Sequence, residues 1–194
     1  MKNIYKKKYL HTYRNYFSST ITGNIALIFL GVLALFAGSQ LSIPIKPIPI
    51  TFQTIVISLI GLTYSPHLAF FTVLAYISSG VLGLPMFIKF SSGLHHITGV
   101  TGGYLLGFLI AAPIMGIIKN KVSRKFSGIM LSCLIGHSII YILGICWLST
   151  FIGLKEAIYS GFIIYIPTGL VKIVIFSALF SYVNNKVSHH GLNG

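Results

Sequence analysis

Acidic residues are almost missing from this chain: Glu156 is the single carboxylate, against fourteen Lys and Arg in 194 residues. One acid cannot supply the paired acid and base of a hydrolase, an acidic metal cage, or a relay of carboxylates through a membrane. Charge of either sign is scarce too, at 8% of residues, where soluble domains carry about a quarter. Together with 55% hydrophobic residues, this excludes an ordinary soluble domain. Cysteine is limited to Cys133 and Cys146, thirteen positions apart in one apolar run. On a helix that spacing is about 20 Å along the axis, too far for a disulfide. No GxxxxGK[ST] loop occurs, so ATP is not hydrolysed by that route. HExxH is absent as well; His95 and His96 are adjacent and point to different faces of any regular element. With no base and orienting acid beside a serine or cysteine, the inventory argues against an intramembrane enzyme.

What is present is a set of long apolar runs. Six spans are expected, at residues 25–43, 50–64, 68–84, 97–118, 129–152 and 158–183. Only Ser65, Pro66 and His67 separate the second from the third, which predicts an antiparallel hairpin. An even number of spans places both termini on one side, and the cations select it. Lys2, Lys6, Lys7, Lys8, Arg14, Lys119, Lys121, Arg124, Lys125 and Lys186 fall on one side; Lys46, Lys89 and Lys155 fall on the other. The positive-inside rule makes the first side cytoplasmic. The expectation is therefore an all-α membrane protein, with six transmembrane helices and both termini cytoplasmic. Residues 1–24 form a basic cytoplasmic leader, 25–183 the transmembrane substrate-binding domain and 184–194 a cytoplasmic tail. The leader has too long a basic region and too extended a following apolar run for a cleaved signal peptide. Net charge of +13 is explained by topology, so no nucleic-acid partner is expected; membrane lipid is.

The remaining cation, Lys172, lies near the middle of the apolar stretch 159–182. A charge at the bilayer centre costs about 2.5–3.5 kcal/mol on insertion scales, and persists where it faces the bundle interior or water. Too much apolar chain flanks it for snorkelling to an interface. Around it the chain offers neutral polar and aromatic groups: Thr51, Gln53, Tyr76, Thr101, Tyr104, Tyr141, Trp147, Tyr165 and Thr168. Such a set suits a small anionic molecule with an apolar body and a hydrogen-bonding end. The loop SIPIKPIPIT carries three prolines and is expected to lie extended across the bundle. The loop LPMFIKFSSGLHHITGVTGGY mixes glycines, hydroxyls and aromatics. Irregular backbone near a membrane must be buried or line a cavity, so two such loops on one face imply a covered pocket opening outward.

These segments resemble the BioY family, the biotin-binding S component of energy-coupling factor transporters. The resemblance rests on IPIKPIPITFQT (43–54), AYISSGVLGLPMF (75–87), TGGYLLGFLIAAPIMG (101–116), YILGICWL (141–148) and the P-x-x-x-x-K of Pro167 to Lys172. It implies capture of biotin in an outward-facing cavity closed by loops. It also implies work with a transmembrane T component and cytoplasmic ATPase subunits in a bacterial cell (inner) membrane. No cofactor or metal is expected. Carried over residue by residue, Lys172 matches a ligand-binding lysine of the family. The family's aspartate three residues earlier is replaced here by Gly169. Its G-P-T-G-G-Y reads Gly99-Val100-Thr101-Gly102-Gly103-Tyr104, and Lys89 is the cation nearest to an arginine that some members place before that run. The candidate substrate-binding residues are Lys172, Gln53, Tyr76, Thr101, Gly102, Gly103, Tyr104 and Lys89. Alternatives are the same scaffold holding a different small carboxylate vitamin or precursor, favoured by Gly169, and a structural subunit with a degenerate pocket.

Overall fold

The computed structural model describes residues 20–122 and 126–190. The cations Lys2, Lys6, Lys7, Lys8, Arg14, Arg124 and Lys125, and most of the expected leader, lie outside the described residues. The chain runs through α1 (Ile21–Gln40), β1 (Ser42–Ile43), β2 (Ile50–Thr51), α2 (Gln53–Thr63), α3 (Pro66–Val81), a 3-10 turn at Ile88–Phe90 and α4 (His95–Thr98). It continues through α5 (Gly102–Lys121), α6 (Phe126–Ile152), α7 (Leu154–Gly161), a second 3-10 turn at Ile163–Tyr165 and α8 (Ile166–His190). By length and composition four stretches can cross a membrane: Ile21–Gln40, Gly102–Lys121, Phe126–Ile152 and Leu154–Asn184. Gln53–Thr63 and Pro66–Val81 are apolar but shorter. Large side chains such as Phe29, Leu30, Phe71, Ile142, Ile175 and Leu179 are exposed on the outer faces, as a lipid-facing bundle requires.

Local chemistry sets the helix starts. Thr20 caps α1 by accepting from the Gly23 N–H at 3.3 Å. Ser65 caps α3 through the Leu68 N–H, with Pro66 pre-set for the first helical position. The chain turns between α2 and α3 at Tyr64 and Ser65, but the two helices barely touch and pack instead on α5 and α1, so the expected hairpin is splayed; Tyr64 Oη donates to the Leu27 carbonyl of α1 at 2.7 Å.

Small residues let the long helices meet backbone to backbone. A Cβ placed on Gly107 of α5 would lie 2.8 Å from Ile140 Cα of α6. At Gly144 of α6 it would run into the Tyr104 ring. The core between these helices holds Leu105, Phe108, Ala111, Ala112, Met115 and Ile140, all buried.

Two further expectations from the sequence change. The last span, within the crossing stretch Leu154–Asn184, is not one continuous helix: Phe162, at φ −137° and ψ −59°, breaks the run between α7 and α8, so 158–161 belong to a separate short helix. The chain stays helical through His190, into the stretch read as a tail. The proline-rich loop also carries more structure than an extended flap, because β1 and β2 pair antiparallel with Ser42 opposite Thr51 and Ile43 opposite Ile50.

Both long loops gather at the end of the bundle that holds Lys46, Lys89 and Lys155. The first (41–52) is fastened by Tyr165 Oη, which donates to the Ile48 carbonyl. The second (82–101) is held by the end of α1: Ser39 Oγ donates to Met86 O at 2.8 Å, and Gln40 Nε2 to Phe87 O at 2.9 Å. Gln40 Oε1 in turn accepts from the Phe90 N–H at 3.0 Å. Lys89 and Phe90 are thereby kept at φ 55° and 56°, a left-handed conformation that costs about 1–2 kcal/mol per non-glycine residue. At the opposite end, Lys119 Nζ donates to the Leu62 carbonyl, joining α5 to α2.

His96 lies in the second loop, its ring 4.5 Å from Phe87 and 4.2 Å from His95, with Nε2 2.9 Å from Ser91 Oγ. Burial, and then neighbouring His95, pull its pKa below the usual 6.5. The folded loop thus favours the neutral ring. Its contribution to stability is complete above 6.5 and is lost as pH falls through the lowered value. Hydrogen exchange across 82–101, corrected for intrinsic rates, is expected to quicken as pH falls below 6.5. The substitution His96→Gln is expected to flatten that dependence; an unchanged profile would refute the assignment.

Candidate functional site

Under the two loops, between α2, α5, α6 and α8, lies a cavity of about 90 Å³. Lys172 enters it from α8. Its Nζ donates to the Thr51 carbonyl of β2 at 2.7 Å and stands 5.6 Å from the centre of the Phe52 ring. The only carboxylate of the chain, Glu156, is exposed on α7, so no side chain of the protein neutralises this ammonium. A hydrogen bond and a ring face hold the charge in place while its remaining N–H donors stay available to an anion.

Gln53, almost fully buried in the first turn of α2, is fixed by a chain of hydrogen bonds. Thr51 Oγ1 donates to Gln53 Oε1 at 3.3 Å, Gln53 Nε2 donates to Tyr76 Oη at 2.8 Å, and Tyr76 Oη donates to Met86 O at 2.9 Å. The amide is thus presented to the cavity in one orientation. Tyr104 closes another wall, its Oη donating to the Gly161 carbonyl at 2.9 Å. Thr101 Oγ1 donates to His96 O at 2.9 Å, which ties the second loop to the start of α5. Thr168 and Tyr141 complete the polar lining; Phe108 and Ile140 supply apolar surface.

The structure brings Lys172, Gln53, Thr101 and Tyr104 together around one space. Tyr76 stands behind Gln53 and orients it without lining the cavity. Gly102 and Gly103 act through backbone approach: a Cβ on Gly102 would strike the Ile97 carbonyl, and one on Gly103 the Trp147 side chain. Trp147 itself donates to Gly99 O at 2.9 Å, anchoring the loop instead of facing the ligand space. Lys89 is exposed on the second loop and does not line the cavity. Of the wider polar inventory, Thr51, Tyr141, Tyr165 and Thr168 do line it. Gly161 contributes a carbonyl that no side-chain pattern announces. Among the described residues no three His, Cys, Asp or Glu come together as a metal site.

Tyr76→Phe is expected to leave one Gln53 N–H unpaired, while the Met86 carbonyl keeps its bond from Ser39 Oγ, costing about 1–3 kcal/mol of stability. Thermal unfolding in detergent measures it, and an unchanged midpoint would show that water replaces the hydroxyl.

Comparison with known proteins agrees with this architecture. A solved structure described as the S-component for biotin from an ECF-type ABC transporter superposes with a TM-score of 0.76 at 22% identity. That match covers 84% of this chain and 92% of the other. A probable biotin transporter BioY of Rickettsia prowazekii is 50% identical over 95% of this chain and 96% of its own length. One from Pyrococcus horikoshii is 38% identical over 76% and 88%, respectively. The family model described as the BioY family matches residues 7–189. Over nearly its whole length, then, the chain carries the pattern of that family, and it belongs to the BioY family.

Proposed function

We propose that this chain is the substrate-capture component of a biotin uptake transporter, a membrane protein and not an enzyme. Biotin is gripped in the cavity beneath the two loops through its carboxylate, paired with Lys172, with Gln53, Thr101 and Tyr104 as further hydrogen-bonding groups. The observation that carries this reading is an unneutralised ammonium on a cavity wall, in a chain whose curated relatives are named biotin transporters. The chain crosses a bacterial inner membrane six times with both termini in the cytoplasm. It delivers its ligand by ATP-driven uptake with a transmembrane T component and cytoplasmic ATPase subunits. Support for the orientation comes from Lys119, Lys121 and Lys186 lying at the end opposite the loops, in line with the positive-inside rule.

Titration of biotin into the detergent-purified protein by calorimetry tests the reading. Saturable one-to-one binding is expected. Folded protein that gives no heat, and on which excess biotin displaces nothing, would remove biotin as the ligand. Gly169 at the position of the family's aspartate favours one second reading, a different small carboxylate. A panel of such compounds competing where biotin does not would establish it.

A further inference from the structure

The cavity at Lys172 is small, and a larger space lies beside it. Ligand pockets span roughly 300–1,000 Å³, against about 90 Å³ here. Between α6 and α8 runs an apolar groove of about 410 Å³, walled by Leu134, Ile142, Ile145, Phe162, Ile166 and Leu170. Tyr141 lines both spaces and stands between them. Its ring rests edge-on against Phe162, centroids 5.3 Å apart at 64°. Its hydroxyl occupies the room that a side chain at position 169 would need, for a Cβ on Gly169 would lie 2.9 Å from Tyr141 Oη.

We propose that Tyr141 is a movable partition, and that the ligand held at Lys172 lays its apolar portion past it into the groove between α6 and α8. Gly169 supplies the clearance in which the phenol sits and turns. The inference rests on the reading of Lys172 as the anion-pairing group. Three observations select the ligand's own hydrocarbon as occupant. The polar cavity is too small for the whole molecule, the groove adjoins it through a single side chain, and the groove walls, His137 and Ser138 apart, are aliphatic and aromatic, matching methylenes. A lipid chain arriving from the bilayer is the competing occupant.

The test places a cysteine in the groove. Ile142 is exposed on the groove wall and does not line the Lys172 cavity. Ile142→Cys is made in a Cys146→Ser chain; the remaining Cys133 is buried. Modification by N-ethylmaleimide is followed with and without saturating biotin, with Val174→Cys on the exposed side of α8 as control. Biotin is expected to slow modification at 142 about tenfold, in proportion to its occupancy, and to leave 174 unchanged. Calorimetric binding of biotin with no protection at 142 would overturn the proposal. So would slow modification at 142 regardless of biotin, which is the mark of a resident lipid. Absence of calorimetric binding to the unmodified chain would instead condemn the biotin reading itself. The partition is tested separately by a double-mutant cycle. Gly169→Ala is expected to weaken biotin binding about tenfold in the parent but by no more than about twofold in a Tyr141→Phe background, which lacks the atom the new Cβ meets, whatever Tyr141→Phe costs by itself. A Gly169→Ala effect untouched by Tyr141→Phe would refute the assignment of Gly169.

Discussion

Replacement of Lys172 by alanine is expected to remove measurable biotin binding while leaving the protein folded. Among the described residues the ammonium is the only cation on the cavity wall, so a bound carboxylate has no substitute partner there. Truncating one member of a buried, hydrogen-bonded charge pair costs about 2–5 kcal/mol, or roughly thirtyfold to a few thousandfold in affinity. The folded state is expected to tolerate the change because only one hydrogen bond, to the Thr51 carbonyl in a partly buried position, is lost. Lys172→Arg separates charge from geometry: a planar guanidinium keeps the charge but not the position of the point donor. Calorimetry on the three proteins measures both effects. Affinity unchanged in Lys172→Ala would mean that the ligand's anionic end lies elsewhere.

The largest expected loss of stability follows from Gly107→Val. A Cβ there would lie 2.8 Å from Ile140 Cα and 3.2 Å from its carbonyl oxygen, so the obstacle is backbone. Overpacking a core costs typically about 1–3 kcal/mol when side chains can shift. Here α5 and α6 must separate, which opens the buried seam from Tyr104 to Met115 as well. The variant is expected to aggregate on detergent extraction, and size-exclusion chromatography shows it directly. A monodisperse Gly107→Val protein with an unfolding midpoint near the parent's would show that the helices can slide apart cheaply. Gly144→Ala is the milder companion, since the Tyr104 ring it meets can move, at the expense of the cavity wall.

How much of this could be read from the sequence follows from what periodicity carries. Lys172 was legible because a charge within a long apolar run has few explanations, and Gln53, Thr101 and Tyr104 followed from polar groups near the same loops. The break at Phe162 is marked only by Ser160-Gly161 before it and by Pro167 in the first turn of α8, signals that a long, mostly apolar run overrides. Tyr76 and Trp147 look the same in sequence as Tyr104. Only the fold shows that the first two spend their polar atoms on the loops. Lys89 was drawn in by proximity along the chain, but the left-handed backbone at 89 and 90 lies on the outer surface. The relation of Gly169 to Tyr141 joins positions on two helices, and a single sequence contains no signal for it.

The fastenings of the two loops have a kinetic consequence. The second loop is buttoned to α1, α3 and α6 through Ser39, Gln40, Tyr76 and Trp147. The first is held across the cavity mouth by Tyr165 and Lys172 of the final helical segment. The cover is thus a door of two leaves, one pinned along its length and one on a short latch. Part of that latch, on the proposed reading, is the residue that pairs the ligand's carboxylate. An ammonium drawn inward by a carboxylate would change its hold on Thr51 and leave Tyr165 as the remaining fastening, which would couple the dwell time of the ligand to the opening of the door.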